Sequence, residues 1–99
     1  LGTIRDFTVT LSNKQDYTFN VLDFTSHYYD VDGDSISSVY FYGNVNNLRY
    51  NNIGYVENTE IPISDIQAGK VVFNAPNQDV LSSININYKI KDNKGNIII

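Results

Sequence analysis

The clearest feature of this chain is an alternation of apolar and polar residues over several short stretches. Because successive side chains of a β-strand point to opposite faces, each stretch predicts a strand with one buried face. The longest, Ser83–Lys91, predicts a single strand that buries Ile84, Ile86, Tyr88 and Ile90. Further strands are predicted at Phe7–Leu11, Tyr17–Val21, Ile36–Tyr42, Leu48–Tyr50, Ile61–Ile63, Val71–Asn74 and Ile97–Ile99.

Two stretches depart from the extended pattern. At Leu22-Asp23-Phe24 the alternation breaks, which indicates a corner that buries Leu22 or Phe24. Ser64–Gly69 predicts one helical turn with Ser64 as its N-cap and Gly69 closing it. Elsewhere, turn-forming residues recur at intervals of roughly ten residues, as in antiparallel sandwiches. We therefore predict an all-β fold, an antiparallel β-sandwich of seven to eight strands, in one domain over residues 1–99.

The composition favours strands and excludes several classes of protein. Residues that suit a pleated surface are abundant, among them twelve Ile, nine Val and eight Tyr. The absence of cysteine and the single histidine leave little for a zinc site, a thiolate nucleophile or a catalytic triad, so we predict that the protein is not an enzyme. A net charge of −4 argues against a nucleic-acid partner. No apolar run approaches the ~20 residues of a membrane span. Since the chain contains no methionine, we interpret it as part of a longer protein.

A dense acidic turn, Asp30-Val31-Asp32-Gly33-Asp34, carries the candidate chemistry. Three carboxylates in five residues repel one another unless a cation lies among them, and Ca²⁺ prefers such oxygen ligands. The turn is not an EF-hand loop, because the sixth position is Ser35 rather than glycine and the twelfth is Phe41 rather than glutamate. The alternative is a solvated turn whose carboxylates cap backbone N–H groups.

Tyrosines suggest a second, weaker candidate site. Tyr40 and Tyr42 fall on the face opposite Val39 and Phe41, and with Tyr50 and Tyr55 they could form an exposed aromatic platform for sugar rings. The alternative is cross-strand aromatic pairing that covers one sheet. A carbohydrate-binding module is therefore the second functional hypothesis.

Seven motifs occur in a characteristic order and spacing: Tyr17-Thr18-Phe19, Asp23-Phe24, Asp30–Asp34, Ser37-Ser38-Val39, Ile61–Lys70, Phe73–Pro76 and Tyr88–Asp92 running into Gly95. Together they resemble the bacterial cadherin-like repeats of large extracellular adhesins. The resemblance covers about four-fifths of the chain and depends on the order and spacing of the motifs.

This resemblance implies an Ig/cadherin-like sandwich that binds Ca²⁺ near domain junctions and acts as a spacer or adhesion module. Asp30, Asp32 and Asp34 would match the calcium-binding turn, and Asp92 the acidic residue of the closing turn. The implied partners are neighbouring repeats of the same chain, with glycans or cell-surface proteins as adhesion ligands. The implied location is secreted or at the cell surface. One departure is that Asn13 and Lys14 stand where many repeats carry an acidic pair before the first core strand, and Asp16 compensates only if the alignment shifts by one or two residues. This implies a site that is incomplete, weak or completed by a neighbouring domain.

Overall fold

A computed structural model describes residues 2–11, 15–43, 45–74 and 82–99 of the chain. These residues are mostly β, with antiparallel sheets and two helices of about one turn each, so the all-β, antiparallel prediction is confirmed. The elements are β1 (Gly2–Ile4), β2 (Phe7–Leu11), β3 (Tyr17–Thr18), α1 (Val21–Thr25), β4 (Tyr28–Asp30), β5 (Ile36–Phe41), β6 (Leu48–Tyr50), β7 (Ile53–Gly54), β8 (Ile61–Pro62), α2 (Ile63–Gln67), β9 (Val71–Phe73), β10 (Ser82–Ile86), β11 (Tyr88–Asp92) and β12 (Ile97–Ile98).

Two four-stranded sheets contribute to one buried core. Their strand orders are β12-β11-β5-β8 and β3-β9-β6-β7, and two further pairs, β1-β4 and β10-β2, complete the described sheets. Phe41 of the first sheet meets Phe19, which follows β3, with ring centroids 5.3 Å apart. Phe24 is fully buried and contacts the rings of both Phe41 and Tyr88. The described part of the chain thus has more strands than the seven to eight predicted, because one predicted strand is divided and three short strands, β1, β4 and β7, were not predicted.

The predicted long strand Ser83–Lys91 is divided at Asn87. Before this residue, β10 pairs with β2 and places Ile86 opposite Phe7; after it, β11 pairs with β5 and places Tyr88 opposite Phe41. The Asn87 carbonyl accepts the N–H of Tyr42, which anchors the point where the chain changes partner. The predicted inward face is kept on both sides of the break, since Ile86, Tyr88 and Ile90 are buried and Ile84 is half-buried.

The predicted strand Tyr17–Val21 ends early, at Thr18. The Asn20 side chain accepts the N–H of Asp23, and the Asp23 carboxylate accepts the N–H of Asn20. This reciprocal capping box starts α1 at Val21 and competes successfully with the extended conformation. The sequence predicted that this corner buries Leu22 or Phe24. The buried residue is Phe24, and Leu22 is 71% exposed.

The predicted helical turn is present as α2, with a different start. It begins at Ile63 with Pro62 in the N-cap position and no side-chain cap, so the prediction of Ser64 as N-cap was wrong. Pro62, at φ −59° and ψ 143°, is still extended and ends β8, and the helical backbone begins directly after it. Gly69, at φ +76°, follows the helix as predicted.

Candidate metal centre

Two aspartates of one turn and a third that is distant in sequence meet in what we call the acidic cluster: Asp30, Asp34 and Asp92. Each offers a carboxylate oxygen within 4.8 Å of the others. Asp30 ends β4, Asp34 lies just before β5, and Asp92 ends β11. They meet because β11 pairs with β5, which brings Asp92 opposite Ile36 after a register shift between Lys91 and Asp92.

Asp92 is a buried carboxylate, 1% exposed, that organises the turn after β11. Its Oδ1 accepts the backbone N–H groups of Lys94 (3.0 Å) and Asn96 (2.8 Å), and its Oδ2 accepts the Asn96 side-chain amide at 3.2 Å. Burial alone would raise the pKa of Asp92. These hydrogen bonds, those from Asn96 first, more than offset it and hold the pKa below its ordinary value. The buried carboxylate is therefore ionised at neutral pH.

Asp30 is held ionised in a similar way. Its Oδ1 accepts the Asp32 N–H at 2.7 Å, and its Oδ2 accepts the Tyr28 hydroxyl at 2.8 Å. Burial raises the pKa of Asp30, but the Tyr28 and Asp32 hydrogen bonds outweigh it, so the pKa lies below the usual value. The Tyr28 phenol shows the reciprocal effect, because burial and the adjacent Asp30 raise its pKa.

Asp34 forms an ion pair with Lys94, the one cationic side chain at the cluster among the described residues. The Lys94 ammonium lies 3.1 Å from Asp34 Oδ1; the Asp34 side chain is only 7% exposed, whereas that of Lys94 is 62% exposed. The pKa of Lys94 is raised, first by its bond to Asp34 and then by Coulombic attraction to the nearby aspartates. A flexible, solvated ammonium thus partly neutralises the cluster.

Of the four predicted metal ligands, the structure brings three together. Asp32 is exposed and its carboxylate is not part of the group, although its backbone N–H supports Asp30. Sequence reasoning missed the supporting residues Tyr28, Lys94 and Asn96. Two features of the sequence could have indicated them. Tyr28 and Asp30 are two residues apart and therefore share one face of a strand, and Lys94 lies within the turn that Asp92 begins.

The tyrosines do not form a platform of four. Tyr40 and Tyr42 are both half-buried, and the Lys89 ammonium lies 5.7 Å from the centroid of the Tyr40 ring. Tyr55 is in the core, where its hydroxyl accepts the Phe41 N–H at 2.9 Å. Tyr50 donates its hydroxyl to Asp65. Tyr55 is therefore buried and is not part of an exposed platform with Tyr40 and Tyr42.

Comparisons with protein-family models, with curated proteins and with solved structures found no match to this chain. Within the described ranges, no helix is long and apolar enough to cross a membrane.

Proposed function

We propose that this domain binds Ca²⁺ at the acidic cluster and serves as a spacer or adhesion module of a secreted or cell-surface protein. The observation that carries the proposal is the convergence of Asp30, Asp34 and Asp92, whose carboxylate oxygens lie within 4.8 Å of one another. Asp32, at the same turn, supports Asp30 through its backbone. The resemblance to bacterial cadherin-like repeats points to the same role.

The spacing of the cluster suits a hard divalent cation. Ca²⁺–oxygen distances of about 2.3–2.6 Å allow ligands on opposite sides of the ion to be about 5 Å apart. Ca²⁺ takes about six to eight oxygens, so three carboxylates must be supplemented by carbonyls, water or a neighbouring domain. We therefore expect the isolated domain to bind weakly, with a Kd of about 10⁻⁴–10⁻³ M, the range of extracellular modules.

Lys94 provides the sharpest test of this site. Its ammonium competes with a divalent cation for Asp34, so Lys94→Gln should lower the Kd for Ca²⁺, whereas Asp34→Asn should abolish the calcium-dependent rise in melting temperature. Lys89→Gln removes the same charge beside Tyr40 at the other end of β5, and it should leave the Kd unchanged. If all three variants respond to Ca²⁺ like the parent protein, binding at the acidic cluster is refuted.

A junction with a neighbouring repeat near the acidic cluster is part of the same proposal, as the resemblance to cadherin-like repeats implies. Gly2 of β1 pairs with Asp30, beside the acidic cluster. In a tandem protein of two copies, a cation at the junction should bind more tightly than in one copy and extend the pair. Small-angle scattering with and without Ca²⁺ tests this, and an unchanged radius of gyration together with unchanged affinity would contradict it.

Saccharide binding is a second candidate, favoured by one observation. Tyr42 lines a depression of about 320 Å³ together with Glu57, Asn58, Lys89 and Ile99. An aromatic ring beside amide, carboxylate and ammonium groups matches the mixed apolar and hydroxyl surface of a sugar. A glycan array run with the parent protein and with Tyr42→Ala tests it. Glycans bound by the parent but not by the variant would support this function, and an array on which the parent binds no glycan would exclude it.

A further inference from the structure

The acidic turn contains the one Asp–Gly step in the sequence, Asp32–Gly33. Every other aspartate precedes a residue with a side chain, and most of those side chains are bulky. This distinction has chemical consequences, because glycine lacks the Cβ that hinders approach to its own backbone nitrogen. An aspartate followed by glycine is therefore the aspartate best placed to react with the main chain.

We propose that Asp32 is a site of spontaneous isomerisation to isoaspartate. The Gly33 amide nitrogen attacks Cγ of the Asp32 carboxyl group and forms a C–N bond. The Cγ–OH bond breaks, and water leaves with the amide proton, giving a succinimide. Water then adds to the Asp32 main-chain carbonyl of the imide and breaks its bond to nitrogen, which leaves the chain connected through Cγ. Water is lost and regained, so the mass is unchanged and no other reactant is needed.

The folded turn leaves room for this reaction. Asp32 and Gly33 are both exposed, and they lie between β4, which ends at Asp30, and β5, which begins at Ile36. A Cβ built on Gly33 would meet no atom within 4 Å beyond its chain neighbours, so no other part of the fold crowds this side of Gly33. The Gly33 N–H donates to the Asp30 carbonyl over 3.2 Å, so this hydrogen bond must open before attack. Exposed turns of this kind open locally at low cost in free energy.

Isomerisation would alter the acidic cluster from within. The isoaspartyl linkage adds a methylene to the main chain between Asp30 and Asp34 and removes one from the side chain at position 32. The spacing of the Asp30 and Asp34 carboxylates would change, and so would the Asp34–Lys94 ion pair. The modification itself does not depend on calcium binding; only a loss of calcium affinity on ageing rests on the proposed function.

The test is ageing of the folded protein at mildly acidic pH and at neutral pH, followed by mass-spectrometric fragmentation that distinguishes isoaspartate from aspartate. Isoaspartate should accumulate at position 32 faster than at Asp34, which is followed by Ser35 and lies in the same loop. Asp32→Glu should lose the product, because the equivalent ring closes far more slowly. Asp32→Asn should form isoaspartate through the same succinimide with a measurable mass gain.

A parallel incubation in urea shows whether the folded turn is permissive. Accumulation at position 32 in both states, and its loss in Asp32→Glu, supports the proposal. Isoaspartate in the unfolded chain but none in the folded protein, for both the parent and Asp32→Asn, overturns it, since the Gly33–Asp30 hydrogen bond would then keep the nitrogen out of reach.

Discussion

At the scale of single residues, tyrosine hydroxyls bonded to carboxylates recur through the fold. Tyr28 donates to Asp30 at the acidic cluster, Tyr17 donates to Asp23 beside α1, and Tyr50 donates to Asp65 in α2. Two of these pairs join a strand to a helix, β3 to α1 and β6 to α2, and the third lies within β4. Each also requires a protonated phenol, because a phenolate would face a carboxylate of the same charge.

These pairs predict a loss of stability in alkaline solution. Burial and Asp23 raise the pKa of Tyr17 to about 12, and the hydrogen bond to Asp65 together with burial raises that of Tyr50 to about 12. The pKa of a tyrosine phenol in the unfolded chain is about 10. The stabilisation is therefore complete below about pH 10 and is lost as the pH rises toward about 12. Urea unfolding across this range should show a steeper loss for the parent than for Tyr17→Phe or Tyr50→Phe; equal slopes would contradict the assignment.

Gly2 lies at a position where the surrounding structure leaves no room for a side chain. A Cβ at this position would clash with Cε1 of Tyr28, whose hydroxyl donates to Asp30. Gly2→Ala must displace this ring, and we expect a loss of about 1–3 kcal/mol in the free energy of unfolding. Gly54→Ala is the matched control, since nothing lies within 4 Å of its Cβ position, and it should change stability by less than about 0.5 kcal/mol. Equal effects of the two substitutions would show that Tyr28 is not tightly packed.

At the scale of elements, the sequence predicts which side of a strand is buried better than it predicts strand partners. The inward face from Ile86 to Ile90 was predicted, because alternation depends only on local geometry. The break at Asn87 was not predicted. At this residue the chain stops pairing with β2 and starts pairing with β5, and no local pattern encodes such a change of partner. The start of α1, in contrast, could be predicted from the local sequence, because Asn20 and Asp23 have the spacing of a capping box.

The continuity of this inward face predicts the energetics of β10. Ile86 is 4% exposed and lies opposite Phe7, so Ile86→Ala should cost about 2–5 kcal/mol through lost burial and a cavity. Val56, which is 71% exposed, provides a control of similar chemistry, and Val56→Ala should change stability by less than about 0.5 kcal/mol. Chemical denaturation measures both. A cost for Ile86→Ala no greater than that of the control would mean that the register of β10 with β2 is wrong.

At the scale of the whole molecule, the acidic cluster is a product of topology. Asp30 and Asp34 were visible as a local motif, but their proximity to Asp92 depends on the pairing of β11 with β5. Asp92 was included from the sequence as the acidic residue of the closing turn, through the family resemblance, whereas the local motif did not distinguish Asp32 from Asp30 and Asp34. Lys94 lies in the turn that Asp92 begins, so the pairing of β11 with β5 brings it to the cluster together with Asp92.

The most direct test of the central claim is an NMR titration of the ¹⁵N-labelled domain with CaCl₂. Binding at the acidic cluster predicts that the amide signals of Asp32, Asp34, Lys94 and Asn96 shift together and saturate with a Kd of about 10⁻⁴–10⁻³ M. The same signals should stay in place in Asp34→Asn. Amide signals that do not move at saturating calcium, or that move only around Tyr42 and Asn58 near the other end of β5, would contradict the account.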